Sequence, residues 1–163
     1  MVLLIKQDEL TTSTPLGGNI DLYKLVPAFK LAQLTVIKPI LGDELYQKIV
    51  EDFSNGTLVG DYEVLYNLYI KNMLIHLGTS YYLTYGAYQL DNRGIFKHKA
   101  DNVVEVSQED IDYISKEQYK YYTYFKREFY RAIKTLNIPE YKYNNKFKNT
   151  TSVGGWVLKN NNC

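Results

Sequence analysis

The sequence predicts an all-α fold: a bundle of three to four main helices, a projecting loop or small hairpin at about 89–106, and an extended C-terminal tail. Three observations carry that expectation. Apolar residues recur at helical spacing over four long stretches. Helix stops and turn residues, among them Pro15, Gly17-Gly18, Asn55-Gly56 and Pro139, separate those stretches. Beyond Ile138 the period is lost, so residues 1–138 read as one helical domain and 139–163 as a tail.

The segment from Met1 to Thr14 is a short apolar start followed by a polar, Thr-rich run. Asn19 or Asp21 is positioned to cap a first helix carrying Leu22, Leu25, Val26, Phe29, Leu34, Ile37 and Leu41. Pro27 lies inside it and is expected to kink or divide it. Pro39 and Gly42 close that segment, and Asp43 is expected to cap a second helix, about Glu44–Phe53, stopped by Asn55-Gly56. A third helix, about Asp61–Tyr88, carries apolar residues most of the way round, which predicts a central element. Its Gly78 and Gly86 are either close helix contacts or fraying points. Ser107 and Asp110 form a capping-box pattern that opens a fourth helix to about Leu136. Its expected inner stripe is Ile111, Ile114, Gln118, Tyr121, Phe125, Phe129, Ala132 and Leu136.

Composition sets the class. With 45% hydrophobic and 23% charged residues over 163 positions, the chain has the make-up of one globular domain. The opening Val2-Leu3-Leu4-Ile5 run lacks the basic start and the cleavage site of a secretory signal. No stretch reaches the ~20 apolar residues of a membrane span, so the expected location is the cytosol or a particle assembled there. The single cysteine, Cys163, excludes an internal disulfide. A net charge of +1 argues against wholesale coating of nucleic acid. The 17 tyrosines are the unusual feature. AT-rich codon usage accounts for part of that excess, and the rest suits surfaces that are wet in the monomer and covered in a complex.

The residues do not compose an enzyme. His76 falls in the apolar third helix, where a core histidine with one hydrogen bond is the expectation, and His98 lies between Lys97 and Lys99 in a loop. No HExxH, CxxC or paired-histidine spacing offers a transition-metal site, so no metal or cofactor is expected. The acidic pairs Asp43-Glu44, Glu51-Asp52 and Glu109-Asp110 fall at helix starts or exposed turns, and no phosphate-binding glycine loop occurs. Ser13, Ser80 and Cys163 have no base near them in sequence.

Binding features are more evident. Arg93, Ile95 and Phe96 place apolar side chains beside the Asp91-Asn92-Arg93-Gly94 turn. The tail carries Tyr141, Tyr143, Phe147 and Trp156 among lysines and asparagines, with net charge +3 against −2 for residues 1–138. These seven residues are the candidate partner-binding set. Gly154-Gly155 lets the chain turn before Trp156, and Val157-Leu158 is able to pair as a short strand. The Tyr/Lys alternation at 141–148 also fits stacking on a single-stranded nucleic acid, a competing reading.

Three segments in order, Pro39–Phe53 (PILGDELYQKIVEDF), Asn72–Gly86 (NMLIHLGTSYYLTYG) and Ser107–Ile133, resemble the head–tail connector (adaptor) proteins of tailed bacteriophages, the crAss-like phages of Bacteroidetes in particular. The resemblance spans about 2–138, and its most specific part is the box Leu41-Gly42-Asp43-Glu44-Leu45-Tyr46. It implies a non-enzymatic virion protein, assembled in the host cytoplasm, that forms a ring, commonly a dodecamer, in the phage neck. The implied partners are further copies of itself, the portal protein, downstream neck or tail proteins and, without sequence preference, the DNA of the channel; a membrane is not among them. A small regulatory binding domain is the remaining alternative.

Overall fold

The computed structural model of the chain describes residues 2–6, 9–10, 22–86, 88–91, 94–97, 107–142, 152–153 and 156–157. The fold is all-α. Helix α1 is continuous through Leu22–Ala32, a π-helical segment Gln33–Ile37, and Lys38–Leu41. Helix α2 is Asp43–Asn55. Helix α3 runs through Gly60–Leu65, a second π segment Tyr66–Ile70, and Lys71–Gly86. Helix α4 is Gln108–Ala132.

Helix α3 is the centre, as its all-round apolar pattern predicts: it packs on α1 along one side and on α4 along the other. Leu65, Tyr66, Ile70, Met73, Leu74, Ile75 and Leu77 of α3 are buried with Phe29 and Ile37 of α1, Leu45 and Ile49 of α2, and Tyr122 and Phe129 of α4. Gly78 is a close helix contact. A Cβ built on it would lie 2.6 Å from ring atoms of Phe29, so the two helices approach only because no side chain intervenes.

Pro27 neither divides nor ends α1, which is helical from Leu22 to Ala32 around it. Proline cannot donate to the carbonyl four residues back, but that carbonyl belongs to Tyr23, at the exposed start of the helix. The expected caps Asn19 and Asp21 lie outside the described residues. The corner between α1 and α2 also differs from expectation. Gly42, at φ 78°, is itself the N-cap and no side chain caps the helix. Its N–H donates to the Lys38 carbonyl at 2.9 Å, and its own carbonyl accepts from Tyr46 N–H at 3.0 Å. Asp43 is the first helical residue and pairs with Lys38 at 3.2 Å. Gly56, left-handed at φ 67°, stops α2 as expected.

The N-terminal residues are part of the core, which the polar run after them conceals in the sequence. Leu4, Ile5 and Leu10 are buried. The buried Gln33 side chain holds this segment in place: its Oε1 accepts from Leu4 N–H at 2.7 Å, and its Nε2 donates to the Val2 carbonyl at 2.9 Å and to Tyr46 Oη at 2.8 Å. Tyr66 Oη donates to the Leu4 carbonyl at 3.3 Å. Gln33 and Tyr66 each open a π segment, where Lys38 N–H reaches Gln33 O and Lys71 N–H reaches Tyr66 O. The wider turn of each helix thus coincides with the side chain that reaches out to the N-terminal segment. A Lys71–Glu9 ion pair at 3.0 Å adds a polar contact at the rim.

Between α3 and α4 the chain forms the small hairpin that was one of the two expectations: β1 (Tyr88–Asp91) pairs antiparallel with β2 (Gly94–Lys97). Residues 98–106 lie outside the described set. The first residues of the expected tail contact the helices. Tyr141 packs edge-on against Phe129, centroids 5.7 Å apart. The Tyr62 hydroxyl donates to Glu140, and Lys142 forms an ion pair with Glu44. Residues 140–142 are thus held against the helical body by groups far apart in sequence.

Candidate interaction surface

Helix α4 begins at a complete capping box. Ser107 Oγ accepts from Asp110 N–H at 3.1 Å, while Asp110 Oδ2 accepts from Ser107 N–H at 3.2 Å. Asp in place of the usual Glu suffices because its shorter side chain still reaches the cap. From there 25 residues extend without a break, about 37 Å at 1.5 Å per residue.

Its inner line is Ser115, Gln118, Tyr122, Phe125, Phe129 and Ile133, all buried or half-buried. The expected stripe is buried or half-buried at Ile111, Gln118, Phe125, Phe129, Ala132 and Leu136 and misplaced at Ile114 and Tyr121, which are 40% and 51% exposed. The reason is that Ser115, a polar residue left out of the expected stripe, finds partners on α3, as Gln118 does. Ser115 Oγ lies 3.0 Å from Ser80 Oγ and 3.1 Å from Thr84 Oγ1, and donates to the Ser80 carbonyl at 3.1 Å. Gln118 Oε1 is 2.8 Å from His76 Nδ1. His76 is the core histidine anticipated from its place in the sequence. It stacks on Phe125 at 5.5 Å and 9°, and burial lowers its pKa below the ordinary imidazole value, partly offset by the Gln118 bond. The Ser80 hydroxyl is thus engaged with Ser115 of α4.

The opposite face is aromatic and open. Tyr113 and Tyr124 on that face are 65% and 50% exposed, and at its flanks Tyr119 and Tyr121, whose rings lie against Tyr122 and His76, are 52% and 51% exposed. Charges are interleaved with them: Glu117 pairs with Lys120, and Glu128 pairs with Arg127 and Arg131. The Arg127 guanidinium lies over the Tyr124 ring, 5.4 Å from its centroid. The helix is also polarised. Positions 108–119 carry four acidic residues and one basic, net −3, and positions 120–132 carry four basic and one acidic, net +3.

The expected stripe leaves out Ser115, which shifts it towards Ile114 and Tyr121 and leaves the outward tyrosines unread. The available signal was that Tyr113 and Tyr124 fall on the same side of a helical wheel, opposite Phe129.

Of the seven candidate partner-binding residues, Tyr141 is committed to its own chain through Phe129. Ile95 and Phe96 lie on β2, where their backbones face Leu90 and Gln89. Trp156 lies on β4 (Trp156–Val157), which pairs antiparallel with β3 (Ser152–Val153), Trp156 opposite Val153. Of the expected strand at Val157-Leu158, Val157 is in β4 and Leu158 lies outside the described residues. Arg93, Tyr143 and Phe147 lie outside the described residues, as do Ser13, His98 and Cys163.

Among the described residues no group of three or more His, Cys, Asp or Glu side chains could hold a metal ion. No described helix is long and apolar enough to cross a membrane. Neither curated proteins nor solved structures yield a match to this chain. A family model described as a family of unknown function, DUF6712, matches residues 37–151, most of the chain, which therefore belongs to that family.

Proposed function

We propose that the chain is a structural virion protein, a head–tail connector (adaptor) of a tailed bacteriophage. In this reading it forms a ring in the neck that joins the portal to downstream neck or tail proteins around the DNA channel. The observation that carries the reading is the Leu41–Tyr46 box at the α1–α2 corner of an all-α body, in the same order relative to the other helices as in the adaptors it resembles. Within that corner Leu41, Leu45 and Tyr46 are buried and Gly42 makes the turn. The box is thus the geometry of the bundle itself rather than an isolated string. The exposed tyrosines of α4 favour assembly over catalysis, since tyrosine-rich, charge-interleaved faces suit protein contacts.

The competing reading is a single-strand nucleic-acid binder using the Tyr/Lys run at 141–148. It loses two of its groups to the body, Tyr141 to Phe129 and Lys142 to Glu44. Co-expression with a tailed-phage portal protein, followed by electron microscopy, separates the two. The adaptor reading expects rings that co-purify with the portal. Failure to bind the portal, together with salt-sensitive binding of oligo(dT), would replace it.

A further inference from the structure

The outermost line of α4 runs through Tyr113, Glu117, Lys120, Tyr124, Arg127 and Arg131. These positions alternate by four and three residues, so they form one narrow seam along the helix. Tyr113 and Tyr124 are 65% and 50% exposed. The side chains of Lys120, Arg127 and Arg131 are exposed and that of Glu117 partly so.

The order of chemistry along the seam has a symmetry. Reflected about position 122, Tyr113 meets Arg131, Glu117 meets Arg127 and Lys120 meets Tyr124. An antiparallel second helix of the same sequence therefore offers a cation to each tyrosine and an arginine to the glutamate, each pairing made twice. A parallel copy does the reverse, setting Glu117 on Glu117, Lys120 on Lys120 and arginine on arginine. The charge polarity of the whole helix, −3 then +3, points the same way.

We propose that this seam is a self-association surface on which a second copy of the chain packs antiparallel, about a two-fold axis beside residue 122. The inference does not rest on the adaptor reading. A two-fold contact closes on itself and cannot build a ring, so it describes the free chain whether or not a portal is present. One helix face buries less than the ~800 Å² per partner of a standard interface. The dimer is accordingly a weak one, formed over the micromolar range and screened by salt.

The test is light scattering of the full chain across concentration, for the natural sequence, Glu117→Arg, Arg127→Glu, and the two together. Both single changes alter an exposed position, and circular dichroism checks that α4 remains helical. Each single change sets like charges together twice and is expected to weaken dimerisation at least ~10-fold. Mixing the two single variants, or combining them in one chain, restores the pairing and is expected to recover the dimer. A chain that stays monomeric at all concentrations overturns the proposal. So does a dimer indifferent to the single changes, or a loss that neither mixing nor combination repairs. Cross-linking gives a second readout in a Cys163→Ser background. Lys120→Cys mixed with Tyr124→Cys is expected to form an intermolecular disulfide, and Tyr113→Cys with itself is not; the opposite pattern contradicts the antiparallel register.

Discussion

The two sides of α3 are built by different means. Towards α1 the contact is dry and close: Phe29 lies over Gly78, and the buried neighbours are aliphatic. Towards α4 it is a polar seam, in which Ser80, Thr84 and His76 meet Ser115 and Gln118. A dry contact gains from area and fails by volume, because a close-packed interior does not absorb an extra methyl group. A polar seam adds little net free energy per bond, yet it fixes which residues must face each other, since any slip strands a buried donor or acceptor. The difference bears on function. Register along the polar seam sets the rotation of α4, and that rotation places the tyrosines and the complementary charges on the outside.

The largest loss is expected where α1 holds the N-terminal segment, beside its dry contact with α3. Gln33 holds three groups at the edge of the α1 packing, and Gln33→Leu leaves the Leu4 N–H, the Val2 carbonyl and the Tyr46 hydroxyl to find new partners. Urea unfolding should show a loss of about 2–4 kcal/mol, with proteolytic cleavage before residue 10 appearing first. Next comes Gly78→Ala. The substitution gains helix propensity of ~1 kcal/mol but drives a methyl into the Phe29 ring, and overpacking of ~1–3 kcal/mol leaves a net loss of up to about 2 kcal/mol by the same measurement. A gain in stability would mean that the ring can move aside, and the contrast between the two faces would be weaker than described.

The polar side should respond less and non-additively. Ser115→Ala removes one partner of Ser80 and should cost ~1 kcal/mol, whereas Ser80→Ala with Ser115→Ala should cost less than the sum of the single changes. His76 sharpens the point through pH. Its folded pKa is lowered by burial, so the unfolded chain takes up the proton more readily, and that difference favours unfolding as pH falls through the ordinary imidazole value near 6.5. The unfolding midpoint should therefore drop on acidification from pH 8 towards 5, and His76→Phe should flatten that part of the slope. An unchanged slope would show that His76 is protonated as easily in the fold as outside it.

The same contrast explains what was legible in the sequence. Periodicity found four helices, the central place of α3, the Gly56 stop and the Ser107–Asp110 box, because each is written within a few neighbouring residues. Everything that depends on a distant partner was hidden. Gln33 reads as an ordinary helix residue until Leu4 is placed beside it. Ser115 reads as a surface serine until Ser80 is found, which is why the α4 stripe was drawn through Tyr121. Tyr141 and Lys142 looked like the start of a tail because Phe129 and Glu44 come from elsewhere in the chain. Of the candidate site, the tyrosine excess was evident but its side of the helix was not, since that side is defined by the polar seam opposite.

Helix α4 holds the fold with one face and leaves the other open to a second copy of the chain. Tyr113→Ser combined with Tyr124→Ser tests it most directly, with unfolding and molecular mass measured on the same sample. The account predicts a stability change within about 0.5 kcal/mol, as for surface sites, together with loss of the concentration-dependent dimer. A stability loss of several kcal/mol with the mass unaltered would place those tyrosines in the fold's own packing and contradict the division of faces.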